Sequence, residues 1–216
     1  MGASQELYEK VRRLASYKTV VVSMGDIAAS GGYYVALGAE RIVANPGTIT
    51  GSIGVVMILP NFTGLMEKIG ISQEAITSGA LKDAGSPFKD LSPAERRYFS
   101  DIVDDLYTQF IEDVAFSRDM DIAKVRRLAD GRVYTGRQAY SLGLVDELGT
   151  FDDALDLLCD LKGIDSPILV EQPEPDSSFL DMVLTRLTGS ARLPLPSGMG
   201  RSLVSGANSP VFLYVY

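Results

Sequence analysis

Residues 19–24 and 26–56 read TVVVSM and DIAASGGYYVALGAERIVANPGTITGSIGVV. The first is an unbroken β-branched run, the pattern of a strand buried on both faces. A turn of small residues around Ser30 follows, then a short helix through Tyr33, Val35 and Leu37. RIVAN (41–45) and IGVVMIL (53–59) read as further buried strands. Helix alternating with continuous apolar strand predicts an α/β layer fold.

Outward from this centre, Ser4 is placed to cap a helix whose apolar face is Leu7, Val11 and Leu14. Downstream, 61–69 reads as a short helix and SQEAIT (72–77) as another strand. Ser92, Pro93 and Glu95 form a capping box with proline at the first helical position. Phe99, Ile102, Leu106, Phe110 and Val114 follow at helical spacing, so a long amphipathic helix of about 25 residues is expected. Shorter helices are expected near 121–129, 136–142 and 151–161, with Gly143 as a C-terminal cap. SPILVE (166–171) reads as a last core strand. These elements group 1–171 as one domain and 172–216 as a Pro/Gly/Ser-rich extension. Within the extension, 178–189 has a helical pattern and VFLYVY (211–216) the character of a strand that pairs with something.

The 216 residues suffice for one domain with a core. A net charge of −8 argues against nucleic acid or an anionic membrane surface as partner. The single cysteine, Cys159, excludes an intrachain disulfide and a Cys-rich zinc site, and its helical context reads as a buried structural thiol. No run of about 20 apolar residues and no signal peptide is visible. Glu6 stands where an N-terminal myristoylation motif needs Ser or Thr.

Ser30 lies between Ala28–Ala29 and Gly31–Gly32. On a strand-to-helix turn a serine hydroxyl is exposed, and the next backbone N–H points to the same place, ready to hold an oxyanion. Gly31 in that position lets a carbonyl approach closely. The same residues also suit a plain tight turn. The chain has no histidine, which excludes a Ser-His-Asp triad and leaves Ser-Lys chemistry. A lysine serves as base only when an apolar setting without a carboxylate partner brings its pKa from about 10.4 toward 7. Lys82, in TSGALKDAGSPF (77–88), follows small and apolar residues at the end of an expected strand. Asp83 is adjacent, but neighbours on an extended segment point to opposite faces. Lys68, Lys89, Lys124 and Lys162 read as solvated. Lys82 as base and Lys82 as loop lysine both remain open on these grounds, as do Ser52 as a lysine-orienting hydroxyl and as a turn residue.

The run from Met24 to Val56 resembles the signal peptide peptidase A family of serine peptidases. SGALKDAGSPFKDLSPAERRYF (78–99) is similar to that family's lysine motif, and DGRVYTGRQAYSLGLVDELGTFDDAL (130–155) to its G-R-V-x-T-G-x-x-A segment. The resemblance covers roughly residues 3–165. It implies a ClpP/crotonase-like fold and a Ser/Lys dyad without cofactor. Ser30 is then the nucleophile, Lys82 the base, Ser52 the residue that orients the lysine, and Gly31 an oxyanion donor. It further implies cleavage of remnant signal peptides or other short apolar peptides at the extracytoplasmic side of the bacterial inner membrane. A homo-oligomeric ring is implied too, in which Lys82 serves the neighbouring copy's Ser30. Family members carry a membrane anchor, further strands and a Pro-Gly-Gly motif ahead of the helix that opens this chain. Met1 stands about where that motif ends, so these parts, and a second oxyanion donor, are expected to be missing. A catalytically impaired ring component is the alternative, and a crotonase-type acyl-CoA enzyme ranks below it.

Overall fold

Within the run at 19–24, Val21–Met24 forms a strand with every residue buried. Its surroundings come from a computed structural model, which describes residues 1–166 and the backbone of a strand at Val211–Leu213. In chain order the elements are α1 (Gly2–Ala15), β1 (Val21–Met24), β2 (Ile27–Ala29), α2 (Gly31–Ala36), β3 (Arg41–Ala44), β4 (Ile49–Gly51) and α3 (Thr63–Ile69). Then come α4 (Pro93–Ser117), α5 (Ile122–Leu128), β5 (Val133–Thr135), α6 (Gly136–Leu142), β6 (Glu147–Leu148), α7 (Phe151–Lys162) and β7 (Val211–Leu213).

One sheet has the order β6-β3-β1-β7. β1 pairs in parallel with β3, Val21 opposite Arg41 through Met24 opposite Ala44, and β3 pairs in parallel with β6. Alternate residues of a strand face opposite sides. Val22, Met24, Ile42 and Ala44 accordingly join the main core with Tyr33, Tyr34, Phe110 and Val114. Val21 and Val43 point the other way, onto Ala154 and Leu158 of α7. Both faces of the sheet are covered, which is why β1 is apolar at consecutive positions. The layered α/β fold expected from the sequence is present.

A second sheet, β2-β4-β5, pairs β2 with β4 in parallel and β4 with β5 antiparallel. Helix α1 lies directly on the region of α2. A Cβ at Gly38 would sit 2.7 Å from the Tyr8 carbonyl oxygen, so glycine is what permits this approach. Helix α4 begins with the expected capping box: the Ser92 side chain accepts from the Glu95 N–H, and Glu95 accepts from the Ser92 N–H. Its 25 residues match the expected length.

The end of α4 is fastened to the first sheet by Arg118. Its guanidinium makes two bonds to the Asp146 carboxylate (2.9 and 2.8 Å), and its Nε donates to the Gly143 carbonyl at 3.0 Å. Asp146 also accepts the Ile42 N–H of β3 at 2.8 Å. Removing one member of a largely buried pair strands the other. Arg118→Ala is expected to destabilise the chain by about 3 kcal/mol, lowering Tm by about 10 °C in a thermal melt.

Several expectations differ from the structure. IGVVMIL forms no strand: Ile53 is buried, but Val56 and Ile58 are 80% and 82% exposed. The Gly131 N–H still donates to Ile53 O at 3.1 Å, and beyond that point no neighbouring backbone among the described residues continues the ladder. SQEAIT likewise has no partner strand among the described residues and is exposed, Ile76 at 98%. Lys82 therefore does not follow a strand. Helix α1 starts at Gly2 with Met1 as N-cap, so Ser4 lies inside it, and its buried residue is Tyr8 while Leu7 is exposed. Cys159 is half-buried. The 166–171 strand beyond Ser166, the boundary at 171 and the 178–189 helix lie outside the described residues. From VFLYVY, the strand Val211–Leu213 pairs antiparallel with β1, Val22 opposite Phe212.

Candidate active site

Strand pairing brings Ser30 and Ser52 together. β2 and β4 are parallel neighbours with Ala29 opposite Gly51. The next residue of each chain direction, Ser30 and Ser52, therefore leaves the sheet at the same end, one strand spacing apart. The Ser30 N–H donates to the Gly51 carbonyl at 2.8 Å, and the Ser52 N–H to the Arg132 carbonyl at 2.8 Å.

Both serines have positive φ, 53° at Ser30 and 51° at Ser52. Ser30, with ψ −114°, is the N-cap of α2, so the chain turns sharply from strand into helix on this residue. Side chains are rarely held in such backbone conformations unless the surroundings impose them. The Ser30 carbonyl accepts the Tyr34 N–H at 2.9 Å, and the hydroxyl of the buried Tyr34 donates to the half-buried Asp113. Gly51 (φ 76°) must be glycine on two counts, since a Cβ there would also lie 2.6 Å from the Tyr134 ring.

Gly31 is the first residue of α2, where a helix leaves backbone N–H groups without intrahelical partners. A Cβ on Gly31 would sit 2.7 Å from the Ser4 hydroxyl. A larger residue beside Ser30 would have to turn the Ser4 hydroxyl aside.

Ser30 and Ser52 open onto a cleft of about 500 Å3. Gly54, Val55 and Val56 line one side, Val103, Asp104 and Tyr107 of α4 another. The Tyr107 hydroxyl donates to the Ala129 carbonyl at 2.7 Å, fixing α4 against the far wall. Asp130, also in the lining, is held charged by the Arg132 guanidinium, which pushes its carboxyl down to about 2. A second hollow shares Val55, Val56, Val103 and Asp104 with the cleft and continues it past Met57, Leu59 and Phe99, with Arg96 and Ser100 also in its lining. Sequence reasoning missed the α4 wall. Its signal is the apolar spacing of Phe99, Val103 and Tyr107, a second stripe beside the core-facing one.

Lys82 is exposed on the loop between α3 and α4, its N–H donating to the Gly79 carbonyl at 3.0 Å, and it is not among the residues lining the cleft. Among the described residues its side chain forms no ion pair. Asp83 next to it is engaged by another lysine: Lys89 Nζ lies 2.8 Å from Asp83 Oδ1 and 2.7 Å from Glu95 Oε1. Lys89 thus keeps a side chain 36% exposed in a polar setting, and in addition bridges two carboxylates. Glu95 is 2% exposed, and Lys89, followed by the Ser92 N–H, pushes its carboxyl down to about 2. One chain, then, brings Ser30, Gly31 and Ser52 together and leaves Lys82 outside their cleft.

Comparison with known proteins follows the same lines. The profile of peptidase family S49 matches residues 12–165. A Synechocystis protein carrying a provisional protease name is 44% identical over 190 residues, 86% of this chain and 66% of that protein. "Protease 4" of Salmonella typhi is 38% identical, covering 90% of this chain and 32% of its own length. "Serine protease SPPA, chloroplastic" of Arabidopsis thaliana is 37% identical, with 84% of this chain and 27% of that protein covered. The chain spans from about a quarter to about two thirds of these relatives' length. Among solved structures, a membrane-bound stomatin-specific protease aligns at TM-score 0.42 with 16% identity, over 72% of this chain and 62% of that one. ClpP1 of Listeria monocytogenes aligns at 0.41 with 15% identity, over 68% and 67%.

Proposed function

The chain belongs to peptidase family S49, and on that premise we propose that it is a serine endopeptidase with Ser30 as nucleophile and Lys82 as general base. The observation that carries this reading is the backbone of Ser30, held at φ 53° on a strand-to-helix turn beside Ser52 and open to a cleft. In the proposed reaction, the neutral Lys82 amine takes the Ser30 proton as Oγ bonds to the peptide carbonyl carbon. The Gly31 N–H holds the resulting oxyanion. The C–N bond then breaks, Lys82 returns the proton to the leaving amine, and an ester remains on Ser30. Water, deprotonated by Lys82, hydrolyses that ester. Ser52 orients the amine.

The substrates we propose are short apolar peptides such as signal-peptide remnants. Met57, Leu59 and Phe99, the apolar residues where the cleft continues, support this. So does the backbone of 54–60, which makes no backbone hydrogen bond among the described residues and offers an edge to an added strand. The position of Lys82 outside the cleft supports a homo-oligomer in which this lysine enters the site of a neighbouring copy. Exposed Val56, Ile58, Leu65 and Ile76 on the same stretch supply apolar surface for that contact. Work at the outer face of a bacterial membrane is part of the same reading. Among the described residues no helix is long and apolar enough to cross a membrane.

A fluorophosphonate probe tests the nucleophile. The expected result is one covalent adduct, mapped to Ser30 by peptide mass spectrometry. A chain that stays unlabelled at Ser30 in its assembled state is a ring component without peptidase chemistry.

A further inference from the structure

We propose that Lys89 is a positioning residue for Lys82: it fixes the loop that carries the base and occupies the carboxylate beside it. This rests on the Ser30–Lys82 reading. Residues 70–91 contain neither helix nor strand, so regular backbone pairing does not place Lys82. The loop is tied down at a few points. The Phe62 N–H donates to the Pro87 carbonyl at 2.7 Å, and Asn61 donates to Asp90 at 2.8 Å. Nearest to Lys82, the Lys89 ammonium joins Asp83 on the loop (2.8 Å) to Glu95 on α4 (2.7 Å). Glu95 is no loose surface partner. It is buried, and its other oxygen accepts the Ser92 N–H at 2.8 Å as part of the capping box. One cation therefore fastens the residue next to Lys82 to the first turn of a 25-residue helix.

The charged groups facing Lys89 are Asp83 from its own loop and Glu95 from α4. Asp90, bound by Asn61, and Arg96 of α4 line the adjoining hollow.

The test is Lys89→Met in the full chain, measured as kcat and KM of peptide hydrolysis beside the melting temperature. A loss of about 10²-fold in kcat with little change in KM is expected from a misplaced base. Lys89→Arg, which can hold both carboxylates, should restore the rate. Asp83→Asn breaks the loop side of the tether, leaves the capping box intact and should lower kcat likewise. An arginine variant as impaired as methionine, or full activity in Lys89→Met, overturns the proposal. If Lys89→Met does not fold, Asp83→Asn decides, and full activity there overturns the tether. Failure of the dyad is separate, because it shows as an active Lys82→Ala. A dead Lys82→Ala beside a fully active Lys89→Met defeats this inference alone.

Discussion

Ser30→Ala is expected to lower kcat for peptide hydrolysis by about 10⁵–10⁶-fold and to abolish fluorophosphonate labelling, with KM nearly unchanged. The size follows from what the hydroxyl does. Without Oγ there is no acyl-enzyme, and only binding and the Gly31 N–H remain, which elsewhere retain about 10³–10⁴-fold acceleration over water. Alanine keeps the Cβ and removes one oxygen at the cleft, and the Ser30 hydroxyl makes no hydrogen bond among the described residues. The fold should therefore melt at or near the parent temperature, and loss of rate without loss of stability is the diagnostic pair. Substantial residual turnover would move the nucleophile elsewhere.

Lys82→Ala is expected to be nearly as damaging, because Ser30 would have no base. It also has a consequence that Ser30→Ala alone cannot reveal. If the lysine crosses into a neighbour's site, two inactive variants should complement. A Ser30→Ala copy still presents Lys82, and a Lys82→Ala copy still presents Ser30. Random co-assembly at equal amounts should then restore about a quarter of parental activity, the share of head-to-tail contacts with both groups intact. If Lys82 folds back onto its own Ser30, the mixture stays inactive at every ratio. The assay needs subunits mixed before assembly, or exchanged under mild denaturant, with size measured alongside.

What was legible in the sequence was what local chemistry dictates. Val20 to Met24 had to be covered on both faces, and the structure covers it with the main core on one side and α7 on the other. Ser92 and Glu95 announced the start of α4, and Gly143 the end of α6, because caps satisfy donors and acceptors within a few residues. Ser30 was visible between small residues, and Ser52 between Gly51 and Ile53. Their adjacency was not, since it depends on which strands pair and in which register. The errors have one cause. IGVVMIL and SQEAIT have the composition of strands, but a strand exists only beside another, and apolarity does not say what covers it. The carboxylate bridge of Lys89 was hidden for the complementary reason: Asp83 and Glu95 come close in space through a loop whose path no periodicity encodes.

The two left-handed serines separate what folding prefers from what the reaction needs. A side chain held at positive φ costs on the order of 1–3 kcal/mol, and glycine adopts that geometry without the penalty. Selection for stability alone would thus push both Ser30 and Ser52 toward glycine, and on the proposed reading only the hydroxyls oppose that drift. In a descendant that kept the scaffold and abandoned catalysis, these positions would be among the first to relax. Glycine at either one, in an otherwise intact chain, would mark a lineage that has turned from enzyme to structural part.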